Sequence, residues 1–238
     1  MVASAEFDPI VVEPQLTEQK VAELVTRKRE SAKLDYKQEW DPQRRRDVIE
    51  LIKDLVAMAN TAGGYVVIGL GDAGEEVGLQ DAQVEILDEA TLRAQTQSHL
   101  GVALELFLDK TISYGGKRYA IVTVLRSSRS PIVFAKDGQY PDPAGANRTV
   151  AAFRQGDVFV RHGSASERWN QDDVRTIYGR VVDREKERWL AEVVPDVRRL
   201  IEAAMGGRAP VVRTPEELLR GDAETFEREL REILRRPE

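Results

Sequence analysis

Three glycines with phosphate-binding spacing lie in the segment 58–79, which reads MANTAGGYVVIGLGDAGEEVGL. Gly69, Gly71 and Gly74 have the G-x-G-x-x-G pattern that binds a pyrophosphate in dinucleotide-binding folds. In those folds the motif opens a helix, because the amides and the positive dipole of the helix N-terminus bind the anion. Here two glutamates follow Gly74 directly and no helical pattern begins. The sequence therefore predicts a turn between two strands, where glycines accept positive φ angles, and we expect no bound dinucleotide.

The remaining residue types exclude several kinds of chemistry. The chain contains no cysteine, which excludes disulfides, Cys-ligated zinc, iron–sulfur clusters and thiol catalysis. It lacks the Gly-Lys-Ser/Thr of a nucleotide-binding P-loop. Its two histidines, His99 and His162, are isolated, without the spacing of metal ligands, and we predict structural roles for both.

Targeting and membrane-spanning patterns are missing from the sequence. The start, MVASAEFDPIVVEPQL, lacks a basic region followed by an apolar one. No apolar run approaches the ~18 residues that a membrane span needs. We therefore expect a soluble, cytoplasmic protein with no membrane partner.

The first part of the chain alternates between helical and strand patterns. Thr17 is a predicted N-cap of a short helix, and ESAKLDYKQEW predicts a strand. Asp41 and Pro42 are a predicted N-cap and first-turn proline of an amphipathic helix that ends near Asn60. YVVIGL then predicts a buried strand, and EEVGL predicts a return strand after the glycine turn.

The second part begins with a predicted helix over about 83–99. VALELFLD and KRYAIVTVL then alternate around Tyr114-Gly115-Gly116 and predict a second hairpin. PIVFA, RTVAAF and DVFVRHG are further predicted strands, and KDGQYPDPAGANR is a predicted long loop. From Asn170 the pattern is helical, with a Gly-Gly break at 206–207 and a second helix start at Thr214.

These patterns together predict an α+β fold with a mixed or antiparallel sheet and packed helices. We assign residues 1–27 to an N-terminal arm and short helix, 28–168 to the α+β domain, and 169–238 to a helical C-terminal extension. The last helical segment, ETFERELREILRR, is a candidate surface for self-association or for a protein partner.

Charge is segregated along the chain, although the net charge is only −6. Residues 27–46 carry eight bases against four acids, and residues 117–161 carry eight bases against three acids. Residues 71–109 carry nine acids against one base, Arg93. Such runs are either solvated faces or, where two basic stretches meet, a surface that binds a phosphate backbone.

Four ordered motifs resemble the Schlafen AlbA-type domain. They are ESAKLDYKQEW, MANTAGGYVVIGLGDAGEEVGL, LRSSRSPIVF and DVFVRHGSAS, and the match covers residues 28–168. The resemblance implies a nucleic-acid-binding domain, described as DNA-binding or regulatory in bacterial members. Animal relatives include metal-dependent endoribonucleases that act on structured RNA such as transfer RNA. Four motifs in order are more specific than one glycine triplet.

In the ribonuclease members three carboxylates carry the chemistry, and the resemblance places them here at Glu30, Asp35 and Asp72. These residues would bind Mg²⁺ or Mn²⁺, a hard cation that stabilises phosphate charge and activates a water molecule. Asp35 departs from the family's usual glutamate and is one methylene shorter. A different interpretation makes Asp35 and Lys37 an ion pair on one strand face, Glu30 a solvated charge and Asp72 an ordinary turn residue.

Four basic residues are predicted to contact nucleic acid: Lys37, Arg44, Arg154 and Arg161. Lys37 would share the strand face of Asp35, and Arg161 belongs to the R-x-G-S motif. For the two later arginines, the alternative is packing against the acidic segment 71–109.

Three functions are therefore open from the sequence. The first is a nucleic-acid-binding protein with a regulatory or defensive role, whose binding depends strongly on salt. The second is a metal-dependent endoribonuclease that uses Glu30, Asp35 and Asp72. The third is a protein-interaction module without a nucleic-acid role.

Overall fold

The computed structural model of the protein describes residues 9–128, 131–145 and 148–204, without the side chains of 196, 198 and 200–204. The described residues form five helices and eight strands: α1 (Glu18–Thr26), β1 (Leu34–Lys37), α2 (Arg45–Thr61), β2 (Gly64–Ile68), α3 (Asp81–Glu85), α4 (Glu89–Leu100), β3 (Leu106–Tyr114), β4 (Lys117–Val124), β5 (Gly138–Pro141), β6 (Thr149–Phe153), β7 (Phe159–His162), β8 (Ala165–Arg168) and α5 (Gln171–Ala204). The α+β class is confirmed, and so is the helical C-terminal part as far as residue 204.

A four-stranded mixed sheet lies at the centre of the fold. Its order is β1-β2-β4-β3, with β1 parallel to β2 and the other neighbours antiparallel. β3 and β4 form the predicted second hairpin, which is confirmed. The pairs β5–β6 and β7–β8 form two further antiparallel sheets of two strands each.

β2 is buried on both faces, which explains its uninterrupted apolar sequence. Val66 and Ile68 pack in a core cluster with the apolar face of α2. Tyr65 and Val67 point to the opposite face and pack in a second cluster with α1, for example against Leu24. The sheet is therefore covered by a helix on each side, and α2 lies on the face that carries the polar residues described below.

α2 begins at Arg45, three residues later than Asp41-Pro42 predicts. The side chain of Asp41 accepts a hydrogen bond from the Gln43 amide at 2.8 Å, and its carbonyl accepts one from the Arg44 amide at 3.0 Å. These bonds close a separate turn before the helix, as aspartate often does. The prediction that α2 ends near Asn60 is confirmed.

The single helix predicted over 83–99 is wrong, because the chain forms α3 and α4 with a break between them. Asp88 is the N-cap of α4, and its carboxylate accepts a hydrogen bond from the Thr91 amide at 2.7 Å. This capping side chain sets the start of a new helix.

The strand predicted at PIVFA is also wrong. In this segment the Phe134 amide donates to the Asp157 carbonyl and the Ala135 amide donates to the His99 carbonyl, so its hydrogen bonds go to two different elements. The predicted loop contains a strand instead, β5, which pairs with β6. Tyr140 of β5 is buried and donates a hydrogen bond to Glu50 of α2, which fixes the hairpin on that helix.

The return strand predicted at EEVGL is reduced to one bridge between Leu70 and Glu76. The amides of Val77 and Gly78 both donate to the carbonyl of Gly69, at 3.1 and 2.8 Å. Two donors on one acceptor close the loop tightly, so a regular ladder does not continue.

The chain divides into two compact units, Met1–Tyr178 and Gly179–Glu238. The described part of the second unit is the remainder of α5, which contains Pro195 and exposed Val182 and Trp189. The predicted domain boundaries at 27/28 and 168/169 stay predictions.

The predicted Gly-Gly break at 206–207 and the helix start at Thr214 lie outside the described residues. Across the segments that the structure describes, no helix combines the length and the apolar character needed to cross a membrane.

Candidate nucleic-acid interface

A buried cluster of ion pairs lies between the sheet and α2. Lys37 Nζ is 2.9 Å from Asp35 Oδ2 and 2.8 Å from Asp54 Oδ2. Arg161 Nη2 is 3.0 Å from Asp35 Oδ1, and Arg161 Nη1 is 3.8 Å from Asp54 Oδ1. The Arg161 side chain is 1% exposed and the Lys37 side chain 23% exposed. We call these four residues the ion-pair cluster.

Strand alternation explains why Asp35 and Lys37 meet on one face. In β1 the intervening Tyr36 points to the α1 side, where it packs with Leu34, so Asp35 and Lys37 point towards α2. The structure thus contains the Asp35–Lys37 ion pair that the sequence offered as the alternative to a metal ligand.

The charges of the cluster stabilise one another despite their burial. Burial acts to lower the pKa of Lys37, but the carboxylates of Asp54 and Asp35 outweigh it, and the pKa is raised. Burial likewise acts to raise the pKa of Asp54, but the charges of Lys37 and Lys53 and the hydrogen bonds from Lys37 and Ser166 together outweigh it, and the pKa is lowered. The two ion pairs that Lys37 makes, with Asp35 and Asp54, therefore offset the cost of burying its charge.

Glu30 lies beside the cluster. Its Oε1 accepts a hydrogen bond from the Tyr36 amide at 2.9 Å. Burial raises the pKa of Glu30, the Tyr36 hydrogen bond acts against this, and the charge of Asp35 adds to the increase. The carboxylate thus serves as a local acceptor for the backbone of β1.

Asp72 is exposed in the glycine turn. The turn packs against the segment that precedes Glu30: a Cβ on Gly74 would lie 2.6 Å from Cα of Lys28. In the part of the chain that the structure describes, Asp72 takes no part in the hydrogen bonds and ion pairs of the cluster. No group of three or more His, Asp or Glu residues in that part is arranged to hold a metal ion.

The carboxylates do not fit a divalent cation in this arrangement. Mg²⁺ and Mn²⁺ need several free oxygen ligands at about 2.1 Å. The carboxylate oxygens of Asp35 and Asp54 instead form ion pairs with Lys37 and Arg161, although Asp35 Oδ2 accepts no hydrogen bond from Lys37 Nζ at 2.9 Å. The predicted ligand set of Glu30, Asp35 and Asp72 stays a prediction.

Backbone hydrogen bonds bring the sequence motifs together at one end of the sheet. The Arg161 amide donates to Thr61 Oγ1 at 2.8 Å, and Arg161 Nη2 donates to the Ser31 carbonyl at 3.3 Å. The Ser127 amide donates to the Ala59 carbonyl at 2.7 Å. Segments that are distant in sequence, 31–33, 61–64, 125–128 and 161–164, therefore converge. We call them the motif end.

Asn60 and Gly63 explain the N-T-A-G-G motif structurally. Asn60 is buried, its Nδ2 donates to the carbonyls of Ile132 and Phe159, and its Oδ1 accepts from the Ile132 amide. Gly63 has φ +74°, and a Cβ there would lie 2.8 Å from the Val124 carbonyl oxygen. Both residues fix the exit of α2 and the start of β2.

The motif end presents a cation and hydroxyl groups to solvent. Arg126 is exposed, and its amide nitrogen lies 2.9 Å from the position of a Cβ on Gly63. Ser128 and Ser164 are also exposed, and Thr61 and Ser127 are partly exposed. Arginine and hydroxyl side chains are the usual donors to phosphate oxygens.

Arg44 and Arg154 lie on the protein surface and away from the ion-pair cluster. Arg44 is exposed and pairs with Glu39 at 2.8 Å and Asp47 at 3.3 Å. Arg154 is exposed, and its amide donates to Asp157. Among the described residues, no hydrogen bond or ion pair links either arginine to the ion-pair cluster, so the four predicted basic residues do not form one group.

The glycine turn does not form an anion site. The Ala73 amide donates to Oε2 of Glu75 at 3.1 Å, so a carboxylate of the turn itself occupies the position of an anion. The chain then enters the bridge at Glu76 rather than a helix.

Comparison with protein-family models finds a match to the model "Schlafen, AlbA_2" over residues 30–170, more than half of the chain. The chain belongs to the Schlafen AlbA_2 family. No curated protein matches it. The Schlafen AlbA_2 domain of this chain contains the ion-pair cluster and the motif end, and the resemblance stated from the four motifs is confirmed.

Sequence reasoning missed Asp54 and Ser166. Asp54 lies on α2 and accepts a hydrogen bond from Ser166 Oγ of β8 at 2.8 Å. A signal for Asp54 was present, since it stands among apolar residues of the helix face, with Leu51 three positions before it and Met58 four positions after it. A carboxylate at such a position needs a buried partner.

Proposed function

We propose that this Schlafen AlbA_2 protein binds nucleic acid through the motif end, in a regulatory or defensive process. One observation carries the proposal. Arg161, Thr61 and Ser31 join three of the family's motifs by hydrogen bonds, at an end of the sheet where Arg126 and several hydroxyl groups face solvent.

The chemistry of this surface suits a phosphate backbone. Arg126 would pair with phosphate oxygens, and Ser128 and Ser164 would donate hydrogen bonds to them. Two of the four convergent segments, 31–33 and 125–128, lie within the basic stretches 27–46 and 117–161, so the surrounding charge favours a polyanion. Contacts of this kind read the backbone and its shape rather than base identity.

Arg161 and Lys37 would act in this function as positioning residues. Because the Arg161 guanidinium is buried and bonded to Asp35, Ser31 and Ser166, it holds the motif loops in place. Arg44 and Arg154 are exposed and would add contacts to longer nucleic acids.

Fluorescence anisotropy with labelled RNA and DNA tests the proposal. We expect binding that weakens steeply as salt increases, because each phosphate contact releases counterions. The same samples, run on a denaturing gel after incubation with Mn²⁺ or EDTA, separate binding from cleavage. Mn²⁺-dependent cleavage lost in Asp72→Asn would support the endoribonuclease, and the absence of any salt-dependent binding would contradict the proposal.

A further inference from the structure

The composition of the ion-pair cluster supports an inference beyond the proposed function. We infer that Lys37 and Arg161 take the position, between the carboxylates of Asp35 and Asp54, that a divalent cation takes in a carboxylate metal site. The cluster is then a structural latch, by which we mean that its ion pairs form without a metal and hold the segments of the motif end together. Asp54 lies outside the sequence motifs, and Ser166, the last residue of the fourth motif, donates a hydrogen bond to it.

The position of the Lys37 ammonium group is the first argument. Its Nζ lies 2.9 Å from Asp35 Oδ2 and 2.8 Å from Asp54 Oδ2, so it bridges two carboxylates that belong to different elements. Two carboxylates that face each other repel unless a cation lies between them. The ammonium group supplies that charge from within the chain.

Charge balance is the second argument. The cluster contains two carboxylates, Asp35 and Asp54, and two cations, Lys37 and Arg161, so its formal charge is zero. Adding a divalent cation would place three cationic groups around the same two carboxylates. In a region of low dielectric constant such an excess of charge is strongly unfavourable.

The bonds of Arg161 are the third argument. Its guanidinium donates to Asp35 Oδ1 at 3.0 Å, to Ser166 Oγ at 3.1 Å and to the Ser31 carbonyl at 3.3 Å. Ser166 Oγ in turn donates to Asp54 Oδ1 at 2.8 Å. Removing Arg161 to admit a metal would break its hydrogen bonds to Asp35, Ser166 and Ser31, so the latch resists displacement.

The latch therefore ties β1, α2, β7 and β8 into one arrangement. Asp35 and Lys37 belong to β1, Asp54 to α2, Arg161 to β7 and Ser166 to β8. Because Arg161 also binds Ser31 and Thr61, the same network sets the geometry of the motif end.

Thermal unfolding with and without Mn²⁺ tests the inference. In wild type we expect the melting temperature in millimolar Mn²⁺ to stay within about 1 °C of its value in EDTA, because no site exists to be filled. Lys37→Met removes the bridging cation and should melt roughly 5–10 °C lower in EDTA. Mn²⁺ should then restore much of that loss, since Asp35 and Asp54 are left facing each other.

Two matched variants control this experiment. Lys37→Arg keeps the charge and should show no response to Mn²⁺. Lys20→Met removes a lysine of α1 that pairs with Glu23 outside the cluster, and it should show no Mn²⁺ response.

Saturable stabilisation of wild type by Mn²⁺ would overturn the inference, and so would a Lys37→Met variant that melts like wild type or ignores Mn²⁺. If Lys37→Met does not fold, isothermal titration of wild type with Mn²⁺ still decides: heat of binding overturns the inference, and its absence supports it. These readouts do not involve nucleic acid, so the inference can fail while the proposed function stands, and the reverse.

Discussion

At the scale of single residues, Asp54 and Glu30 illustrate two opposite uses of a buried carboxylate. Asp54 is surrounded by Lys37, Arg161 and Ser166, and its pKa is lowered because nearby lysine charges and hydrogen bonds together outweigh the cost of burial. Glu30 has its pKa raised, mainly by burial, and accepts one backbone hydrogen bond. The folded state therefore favours the charged form of Asp54 and disfavours the charged form of Glu30.

This contrast predicts opposite effects of two amide substitutions. Asp54→Asn leaves Lys37 and Arg161 with too little negative charge, and we expect the free energy of unfolding to fall by about 3 kcal/mol. Glu30→Gln keeps the oxygen that accepts from the Tyr36 amide and removes a disfavoured charge, so stability should stay equal or rise. Urea unfolding at neutral pH measures both, with exposed Asp183→Asn as the control. A Glu30→Gln variant as unstable as Asp54→Asn would contradict the account.

Only part of the ion-pair cluster could be predicted from the sequence. The alternation of β1 places Asp35 and Lys37 on one face, and the sequence offered their pairing as an alternative. The contact between Asp35 and Arg161 joins positions 126 residues apart, and no local pattern encodes such a pairing. It depends on where β7 packs against α2, which is a property of the whole fold.

At the scale of elements, His162 connects the β7–β8 hairpin to the first turn of α5. Its Nδ1 lies 2.9 Å from Glu167 Oε2 of β8, and its Nε2 lies 3.0 Å from Asp173 Oδ1 of α5. Asn170 caps the same helix start, accepting from the amides of Asp172 and Asp173. The hydrogen bonds of Glu167 and Asp173 raise the pKa of His162.

A raised histidine pKa gives a definite dependence on pH. The contribution of His162 to stability is fully present below its unfolded pKa of 6.5 and is lost as pH rises through the higher folded pKa. We expect wild type to exceed His162→Gln in melting temperature near pH 6, with the difference shrinking towards pH 9. Thermal melts of both proteins across that range measure it, and a difference that grows with pH would contradict the ion pairs described.

Helices and strands were predicted correctly where the local sequence signals agreed. The predictions were wrong where those signals competed with contacts from distant parts of the chain. Thr17 caps α1 as its sequence predicts, with its side chain accepting from the Lys20 amide. PIVFA has a strand composition but pairs with no strand among the described residues, because its amides bind the His99 and Asp157 carbonyls. β5 contains Gly138 and Pro141, residues that favour loops, yet the buried Tyr140 holds it on α2.

At the scale of the whole molecule, basic and acidic stretches of the sequence belong to different parts of the fold. Segments 31–33 and 125–128 of the motif end lie in two basic stretches, whereas the acidic segment 71–109 contains α3 and α4. A net charge of −6 is therefore compatible with a local surface that attracts a polyanion. The resemblance to one family, confirmed over residues 30–170, was the strongest prediction from the sequence because it used motif order.

The helical C-terminal part has no assigned function. Trp189 and Val182 are exposed on the described part of α5, and self-association or a protein partner through this part stays a prediction. The family match ends at residue 170, just before α5 begins at Gln171.

The central claim, that the motif end binds nucleic acid, is tested most directly by two arginines near opposite ends of β4. Arg126 lies just beyond the end of β4 that belongs to the motif end, and Arg118, near the start of the strand, pairs with Asp81. The measurement is the affinity of wild type, Arg126→Ala and Arg118→Ala for the same labelled RNA over a series of salt concentrations. We expect Arg126→Ala to bind roughly three- to tenfold more weakly, with a salt slope smaller by about one, and Arg118→Ala to match wild type. Equal binding by Arg126→Ala and wild type, or a larger loss in Arg118→Ala, would contradict the account.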